Sequence, residues 1–271
     1  MPFLFLSPST QDFNPYVTTG NEQYWMNRIA DEMEPYLRAS GVNFTRNNPA
    51  GSAAQSIRDS NAGQYDFHLA LHSNAMPEAS AGTARGVDIY YSPMSEAGLR
   101  MANIIVDNLR PIYPLPDKVR ALSTVAIGEV RRTHAPAVLA ELGYHDNLED
   151  EAWITGNIEP IAAALVESVC EYFGLPFLQP MVRQEGTVVL TSGALNLRAA
   201  PSYDAPVYLQ IPNGETVTVW GEYDNWYVVE YDGTFGYVRG EYLRLKRRWE
   251  AGDRIGVKLD MRGRLIRQGG F

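Results

Sequence analysis

The residues best suited to chemistry are two histidines and two glutamates in the first part of the chain. His72 follows an apolar run, Glu141 lies inside another apolar run, and His145 comes shortly after it. A glutamate within an apolar strand must be paired, bound to a metal or shifted in pKa, because burying an isolated charge is costly. Glu141 is therefore a candidate functional residue.

Glu22 opens the first long helical pattern, where the helix dipole also favours a carboxylate. Taken alone, Glu22 is better explained as a helix-start residue and His72 as a hydrogen-bonded structural histidine. Taken together, Glu22, His72, Glu141 and His145 are the ingredients of a hydrolytic zinc site. Histidine and carboxylate ligands hold the metal and leave one position for water, and a further glutamate takes the proton of that water.

Alternating strands and helices must position these residues. The apolar patterns predict strands at Phe3–Ser7, Val42–Arg46, Asp66–Ser73, Gly86–Ser92 and Ala137–Tyr144. Helical periods cover Glu22–Ser40, Ser95–Tyr113 and Ile158–Phe173, and Pro35 predicts a kink or an early end in the first of them. Such alternation predicts an α/β fold with a mainly parallel sheet and helices on both faces, and functional residues at the carboxyl ends of its strands.

The pattern of predicted elements changes after residue 175. Residues 176–183, which include Pro176 and Pro180 and follow Gly174, predict a linker, and residues 184–245 contain short strands separated by turn signals. Asn213-Gly214 and Asp232-Gly233 between apolar runs predict hairpins. The predicted strands of this small all-β barrel are Gly186–Leu190, Ala194–Arg198, Glu215–Gly221, Trp226–Tyr231 and Thr234–Val238. Residues 246–271 form either a further hairpin or a loose tail.

Residues 1–174 resemble the type 3 N-acetylmuramoyl-L-alanine amidase family, which is zinc-dependent. The resemblance rests on the order and spacing of these segments: Gly20-Asn21-Glu22, Arg46, Arg58 with Ser60-Asn61, Leu71–Ala75, Gly86–Tyr91 and Pro136–Asn147. It implies that residues 1–175 are a catalytic domain cleaving the amide bond between N-acetylmuramic acid and L-alanine in peptidoglycan. It also implies that Glu22 and His72 bind Zn²⁺ and that Glu141 is the general base.

One departure from the family pattern concerns the third metal ligand. The family's first histidine lies in an Asp-Pro-Gly-His-Gly-Gly segment after strand one, whereas this chain has Ser7-Pro8-Ser9-Thr10-Gln11. His145 is the first candidate to replace it, and Gln11, whose neutral oxygen suits harder cations, is the second, ahead of a second water. His68 is excluded as a ligand beside His72, because four strand residues span about 13 Å.

Three further residues have weaker assignments. Asn74 and Arg58 are expected to contact the substrate or the metal ligands. His134, before Ala135-Pro136, is expected in a surface loop, from which it could touch the substrate.

Residues 184–245 resemble the bacterial SH3-like family, on the segments Leu195–Pro201, Pro212–Val217, Trp226–Val229, Gly236–Val238 and Tyr242-Leu243. The resemblance implies a non-catalytic domain that binds the cell wall, plausibly through peptide stems. Four aromatic side chains could line a peptide groove, although core packing is the better explanation for any one of them: Trp220, Tyr223, Trp226 and Tyr237.

Net charge and composition limit the partners and the kinds of protein that this chain can be. The net charge of −9 argues against nucleic-acid binding, and no apolar run is long enough to span a bilayer. From Arg239 to Arg267 ten basic and four acidic residues give about +6, so this tail either docks on anionic wall polymers or is a solvated surface that faces the acidic remainder of the chain. Cys170 is the single cysteine, which excludes an internal disulfide.

Two other functions stay open beside an active amidase. Because the first histidine is missing, the chain could be a peptidoglycan-binding protein whose amidase domain has lost its metal. A separate possibility is an intracellular structural or regulatory protein. No signal peptide is visible. An amidase that acts at the bacterial cell wall without one is typical of a phage endolysin, or of an autolysin exported by another route.

Overall fold

The computed structural model describes residues 2–246 and the backbone of Lys258–Leu259 and Leu265–Ile266. The chain divides into two compact units, which are described separately below. The first consists of residues 1–37 and 42–177, and the second of residues 38–41 and 178–271.

The first unit is built on a six-stranded sheet with the strand order β2-β1-β3-β6-β4-β5. Its strands are β1 (Phe3–Pro8), β2 (Asn43–Arg46), β3 (Phe67–Asn74), β4 (Val87–Tyr91), β5 (Val119–Ser123) and β6 (Ala137–Tyr144). All neighbouring strands run parallel except β4 and β6, which are antiparallel. The predicted α/β class with a mainly parallel sheet is confirmed.

Six helices accompany the sheet in the described part of this unit. They are α1 (Glu22–Ala39), α2 (Ala53–Ala62), α3 (Glu96–Leu109), α4 (Gly128–Arg131), α5 (Leu148–Gly156) and α6 (Ile158–Phe173). Helix α1 continues past Pro35 to Ala39, so the predicted early end is wrong. Among the described residues no helix has the length and apolar character to cross a membrane.

One face of the sheet carries the candidate site. Because side chains alternate between the faces of a strand, His68, Ala70 and His72 of β3 share a face, and the strand register places Leu139 and Glu141 of β6 beside them. Leu139 and Ala70 pack against Val130 of α4 in a small apolar cluster. This cluster fixes α4 over the same face as the histidines.

The second unit is an all-antiparallel sheet with the strand order β13-β7-β10-β11-β12-β8-β9, which confirms the predicted all-β class. Its strands are β7 (Gln184–Val188), β8 (Ala194–Arg198), β9 (Val207–Pro212), β10 (Thr216–Tyr223), β11 (Trp226–Tyr231), β12 (Thr234–Arg239) and β13 (Leu243–Leu245). Asp232 and Gly233 connect β11 to β12 with φ values of 50° and 70°, as a two-residue hairpin requires.

Of the C-terminal segment, the structure describes two short antiparallel strands, β14 (Lys258–Leu259) and β15 (Leu265–Ile266). Most of the predicted basic tail lies outside the described residues.

Candidate functional site

Three acidic or basic side chains lie in one row across the sheet. The register pairs His72 of β3 with Glu141 of β6, and Glu141 in turn with Asp88 of β4. Neighbouring strands are about 4.8 Å apart, so the three residues are direct neighbours. Asp88 is bound to Arg120 through both carboxylate oxygens, at 2.9 and 3.0 Å. His72 and Glu141 lie near the carboxyl ends of their strands, where functional residues were predicted.

Glu22 and His72 form the centre of the site. Oε1 of Glu22 lies 2.7 Å from Nδ1 of His72, and both residues are buried. Asn14 donates to the other oxygen of Glu22 at 2.7 Å. The side-chain amide of Gln11 completes the group, with its Nε2 atom 3.2 Å from Nδ1 of His72 and 3.4 Å from Oε1 of Glu22.

The pair has a consistent charge state. Burial acts to raise the pKa of Glu22, but the hydrogen bond and positive charge of His72 outweigh it, and the pKa falls below its usual value. Burial acts to lower the pKa of His72, but hydrogen bonds to the carboxylates of Glu129 and Glu22 raise it well above the usual value. Without a metal, the site therefore holds an imidazolium between carboxylates.

Glu141 has the opposite environment. Its Oε2 atom is buried and has no hydrogen-bond partner. Burial raises the pKa of Glu141 to about 7; the charge of His72 opposes the rise, and the charges of Glu22 and Asp88 add to it. A carboxyl group with a pKa near neutrality can both accept and release a proton at physiological pH.

Glu129, which was not among the predicted site residues, contacts His72 from α4. Its Oε2 atom lies 3.2 Å from Nε2 of His72, and its Oε1 atom accepts from Ser7 Oγ at 2.6 Å and contacts Nε2 of His68 at 3.1 Å. Burial acts to raise the pKa of Glu129, but the hydrogen bonds from His68 and His72 outweigh it and hold the pKa well below its usual range.

A signal for Glu129 was present in the sequence. His68 and His72 are four residues apart in a predicted strand and therefore share one face. Two buried histidines on one face need a polar partner there. The element that supplies this partner is only four residues long, and no helical period reveals so short a helix.

His145 makes its contacts with residues other than Glu22 and His72. Its Nδ1 atom lies 2.8 Å from the backbone carbonyl oxygen of Ser73, and its ring stacks on Tyr16, whose hydroxyl donates to Ser73 Oγ at 2.9 Å. The structure thus brings Gln11, the second candidate for a third ligand, to the Glu22–His72 pair, and it engages His145 with Ser73.

The remaining predicted residues lie outside this cluster. Arg58 is exposed on α2 and donates to Gln55 of the same helix. Asn74 ends β3, and its side-chain oxygen accepts from the amide of Ala75. His134 is exposed, as expected for a loop residue.

The donor types fit a divalent cation. Within the described residues, no three His, Cys, Asp or Glu side chains are grouped as a metal site. Glu22 and His72 nevertheless offer one carboxylate and one imidazole. Gln11 contacts both through Nε2 while its Oε1 atom accepts from Nδ2 of Asn14 at 3.2 Å, so its oxygen would serve a metal only if the amide turned and gave up that hydrogen bond. One His, one Glu and one amide oxygen are three protein ligands with room for water, the number that catalytic zinc sites use.

The second unit has a groove of its own. A cavity of about 430 Å³ is lined by three aromatic side chains, Tyr203, Trp226 and Tyr242, together with Arg198 and Arg239. The guanidinium of Arg239 lies 5.5 Å from the ring centre of Tyr203 and 5.4 Å from that of Trp226. Tyr203 is 62% exposed, so this aromatic surface is open to a ligand.

Of the four aromatic residues proposed for a groove, only Trp226 lines this cavity. Tyr237 is buried, with its hydroxyl donating to the backbone carbonyl oxygen of Ser40 at 2.7 Å, and Tyr223 is 40% exposed.

Comparison with family models gives two matches. Residues 11–171, more than half of the chain, match the model described as N-acetylmuramoyl-L-alanine amidase. Residues 193–244 match the bacterial SH3 domain model. Comparison with curated protein sequences gives no match.

Solved structures with the same fold as the first unit include three amidase or endolysin domains. The catalytic domain of the amidase CwlV from Bacillus (Paenibacillus) polymyxa var. colistinus is 17% identical with a TM-score of 0.58, over 65% of this chain and 100% of that one. The amidase AmiC2 of Nostoc punctiforme is 16% identical with a TM-score of 0.54, over 64% and 97%. The catalytic domain of the CD27L endolysin, which targets Clostridia Difficile, is 22% identical with a TM-score of 0.51, over 63% and 98%.

Proposed function

Because the chain belongs to the N-acetylmuramoyl-L-alanine amidase family, we propose that its first unit hydrolyses the amide bond between N-acetylmuramic acid and the L-alanine of the stem peptide. The observation that carries this proposal is the carboxyl group of Glu141. It has a buried oxygen without a partner, a pKa of about 7, and a position beside the His72–Glu22 pair. Such a group is suited to general base catalysis at neutral pH.

Glu22 and His72 would hold a Zn²⁺ ion. The amide oxygen of Gln11 is the third ligand we favour, because the amide group of that side chain, through its nitrogen, contacts both residues. His145 is the alternative third ligand, although its Nδ1 atom is engaged by Ser73. A bound zinc ion would supply Lewis acidity toward water and toward the substrate carbonyl.

The side chains of the chain perform the proton transfers. Glu141 accepts a proton from the attacking water as the new carbon–oxygen bond forms. When the carbon–nitrogen bond breaks, Glu141 passes that proton to the departing nitrogen of L-alanine, so the base returns to its starting state. Asn74, at the end of β3, is a proposed substrate contact; Arg58 is a weaker candidate because it is exposed on α2.

The test uses the full chain and purified insoluble peptidoglycan, with new alanine amino groups as the readout. We expect Glu141→Gln to lower the rate by about 10²–10⁴-fold, the range for loss of a general base, while zinc binding persists. Glu159→Gln is the matched control, because that carboxylate accepts from Tyr36 and takes no part in the site. Unchanged release by Glu141→Gln would refute the assignment.

The third ligand has its own experiment. Replacing Gln11 with histidine supplies a stronger zinc donor, so Gln11→His should raise the zinc affinity by about tenfold or more, measured by competition with a chromophoric chelator. His145→Ala should leave the zinc affinity within about twofold if Gln11 is the ligand. The reverse order of effects would assign the position to His145.

We propose that the second unit binds peptidoglycan through the aromatic groove around Tyr203 and Trp226. Tyr203→Ala should weaken pelleting with insoluble peptidoglycan by about 3- to 10-fold, as expected for one exposed aromatic contact. Tyr223→Ala is the control, since it removes another exposed tyrosine that does not line the groove. Equal losses in both variants would argue against the groove.

Pelleting without zinc binding and without amine release would favour the alternative function, a non-catalytic wall-binding protein. In either case we propose action at the bacterial cell wall. Docking of the basic tail on anionic polymers stays a prediction, because most of that tail lies outside the described residues.

A further inference from the structure

We propose that Glu129 is a positioning residue for His72. It holds the ring with the proton on Nε2, so that Nδ1 faces Glu22, and His68 and Ser7 hold Glu129 in place. The inference deepens the proposed function and rests on it for the role of His72, but it concerns a contact that the family resemblance did not indicate.

The geometry around His72 gives each ring nitrogen a carboxylate. Nδ1 lies 2.7 Å from Oε1 of Glu22, and Nε2 lies 3.2 Å from Oε2 of Glu129. When Nδ1 serves a metal it must lose its proton, and the proton that remains then lies on Nε2. A carboxylate at Nε2 favours this tautomer and fixes the rotation of the ring, as carboxylates do behind metal-bound histidines in general.

Glu129 has two further hydrogen-bond partners besides His72. Its Oε1 atom accepts from the hydroxyl of Ser7 at 2.6 Å and contacts Nε2 of His68 at 3.1 Å. The other nitrogen of His68 lies 3.0 Å from the hydroxyl of Ser60, which can donate to it. A chain of hydrogen bonds therefore runs from Ser60 through His68 and Glu129 to His72.

Burial makes this arrangement rigid. Glu129 is 4% exposed, and His68 is fully buried. A buried carboxylate with three donors cannot turn away to solvent without leaving those donors unsatisfied. His72 is consequently held from a fixed support on α4 and not from a flexible surface side chain.

The decisive variant is Glu129→Gln, which keeps the size of the side chain. A glutamine has one acceptor oxygen, so it can accept from only one of the two histidines and presents an NH₂ group to the other. We expect the zinc affinity of the full chain to fall by about 10- to 100-fold, measured by chelator competition. His68→Gln should have a smaller effect, because Glu129 still accepts from His72, and Glu159→Gln should have none.

A second readout does not depend on metal or activity. In long-range ¹H–¹⁵N spectra of the metal-free full chain, the Nε2 proton of His72 should be observed and protected from exchange. Glu129→Gln should abolish this protection, and Glu129→Asp, which keeps the charge on a shorter side chain, should restore part of it. A purely structural role for Glu129 would lower the melting temperature without this selective effect on His72.

Each outcome is decisive. Unchanged protection of the Nε2 proton in Glu129→Gln overturns the inference. If that variant does not fold, the comparison of His68→Gln and Glu129→Asp with the wild-type chain decides on the same signal. If the wild-type chain binds no zinc but its Nε2 proton is protected and lost in Glu129→Gln, the proposed zinc site fails while the positioning role stands.

Discussion

Glu129 and Glu141 are carboxylates over the same face of one sheet, and both lie beside His72, yet their environments are opposite. Glu129 receives three hydrogen bonds, whereas Oε2 of Glu141 has no partner. Burial acts to raise the pKa of both. Hydrogen bonds from His68 and His72 reverse this effect at Glu129, and nothing comparable does so at Glu141.

The difference shows how one fold prepares two carboxylates for two tasks. A carboxylate saturated with donors stays charged and immobile, and it can only orient its neighbours. A carboxyl group with an unsatisfied buried oxygen has a pKa near neutrality, and it can exchange a proton with a reactant. The number of hydrogen-bond donors, more than the depth of burial, separates the positioning residue from the general base.

The largest stability effect that this comparison predicts is for Glu129→Gln in metal-free protein. Removing one member of a buried, hydrogen-bonded charge cluster should lower the free energy of unfolding by about 3 kcal/mol at pH 7. Because the folded pKa of Glu129 lies below its unfolded value, the stabilisation is present above about pH 4.5 and declines as the pH falls further. Thermal unfolding in a chelating buffer from about pH 2 to pH 8 measures both the plateau and the decline.

The control for this prediction is Glu159→Gln, which removes a carboxylate with a single tyrosine partner. Its effect should be about 1 kcal/mol at most. An equal loss of unfolding free energy in both variants would mean that the three hydrogen bonds of Glu129 stabilise the fold no more than the single tyrosine contact of Glu159.

Glu141→Gln should have a stability effect of the opposite sign. The folded pKa of about 7 lies above the ordinary value. The folded chain therefore binds more protons between about pH 4.5 and pH 7, and the stability contributed by this group is lost as the pH rises through that window. At pH 8 the wild-type chain carries a buried charge that glutamine lacks, so the variant should be more stable by about 2 kcal/mol.

The pH profile provides the internal check. Near pH 4.5 the wild-type carboxyl group is mostly neutral and resembles glutamine, so the two melting temperatures should converge there. A variant that is less stable than the wild-type chain at pH 8 would show that Glu141 has a compensating partner, and the contrast with Glu129 would fail.

The sequence predicted the strands and helices that carry the site better than the contacts made within the site. Strand β6 and helix α6 have their predicted bounds, because long apolar runs and a helical period of 16 residues are strong signals. Strand β5 and helices α2, α4 and α5 were missed. Helix α4 has four residues, and the alternation in β5 is weak, with intermediate or exposed residues between its ends.

The residues of the candidate site show the same difference between strong local patterns and features that no local pattern reveals. Glu22, His72 and Glu141 were singled out because each stands at a marked point of an element, a helix start or a buried strand. Choosing His145 ahead of Gln11 depended on where the chain runs after Gly143 and on the loop before α1. The contact of His145 with Ser73 and that of Gln11 with His72 are long-range, and no local pattern encodes them.

The smallest predicted effect concerns Ser7, the hydroxyl donor to Glu129. Ser7→Ala removes one of three donors and leaves both histidine contacts, so the free energy of unfolding should fall by about 1 kcal/mol. If the donors hold down the pKa of Glu129, the acid-induced loss of stability in this variant should end at a higher pH, and be smaller in total, than in the wild-type chain. An acid transition identical to that of the wild-type chain would mean that the histidines alone keep Glu129 ionised, and the count of donors would not be what distinguishes it from Glu141.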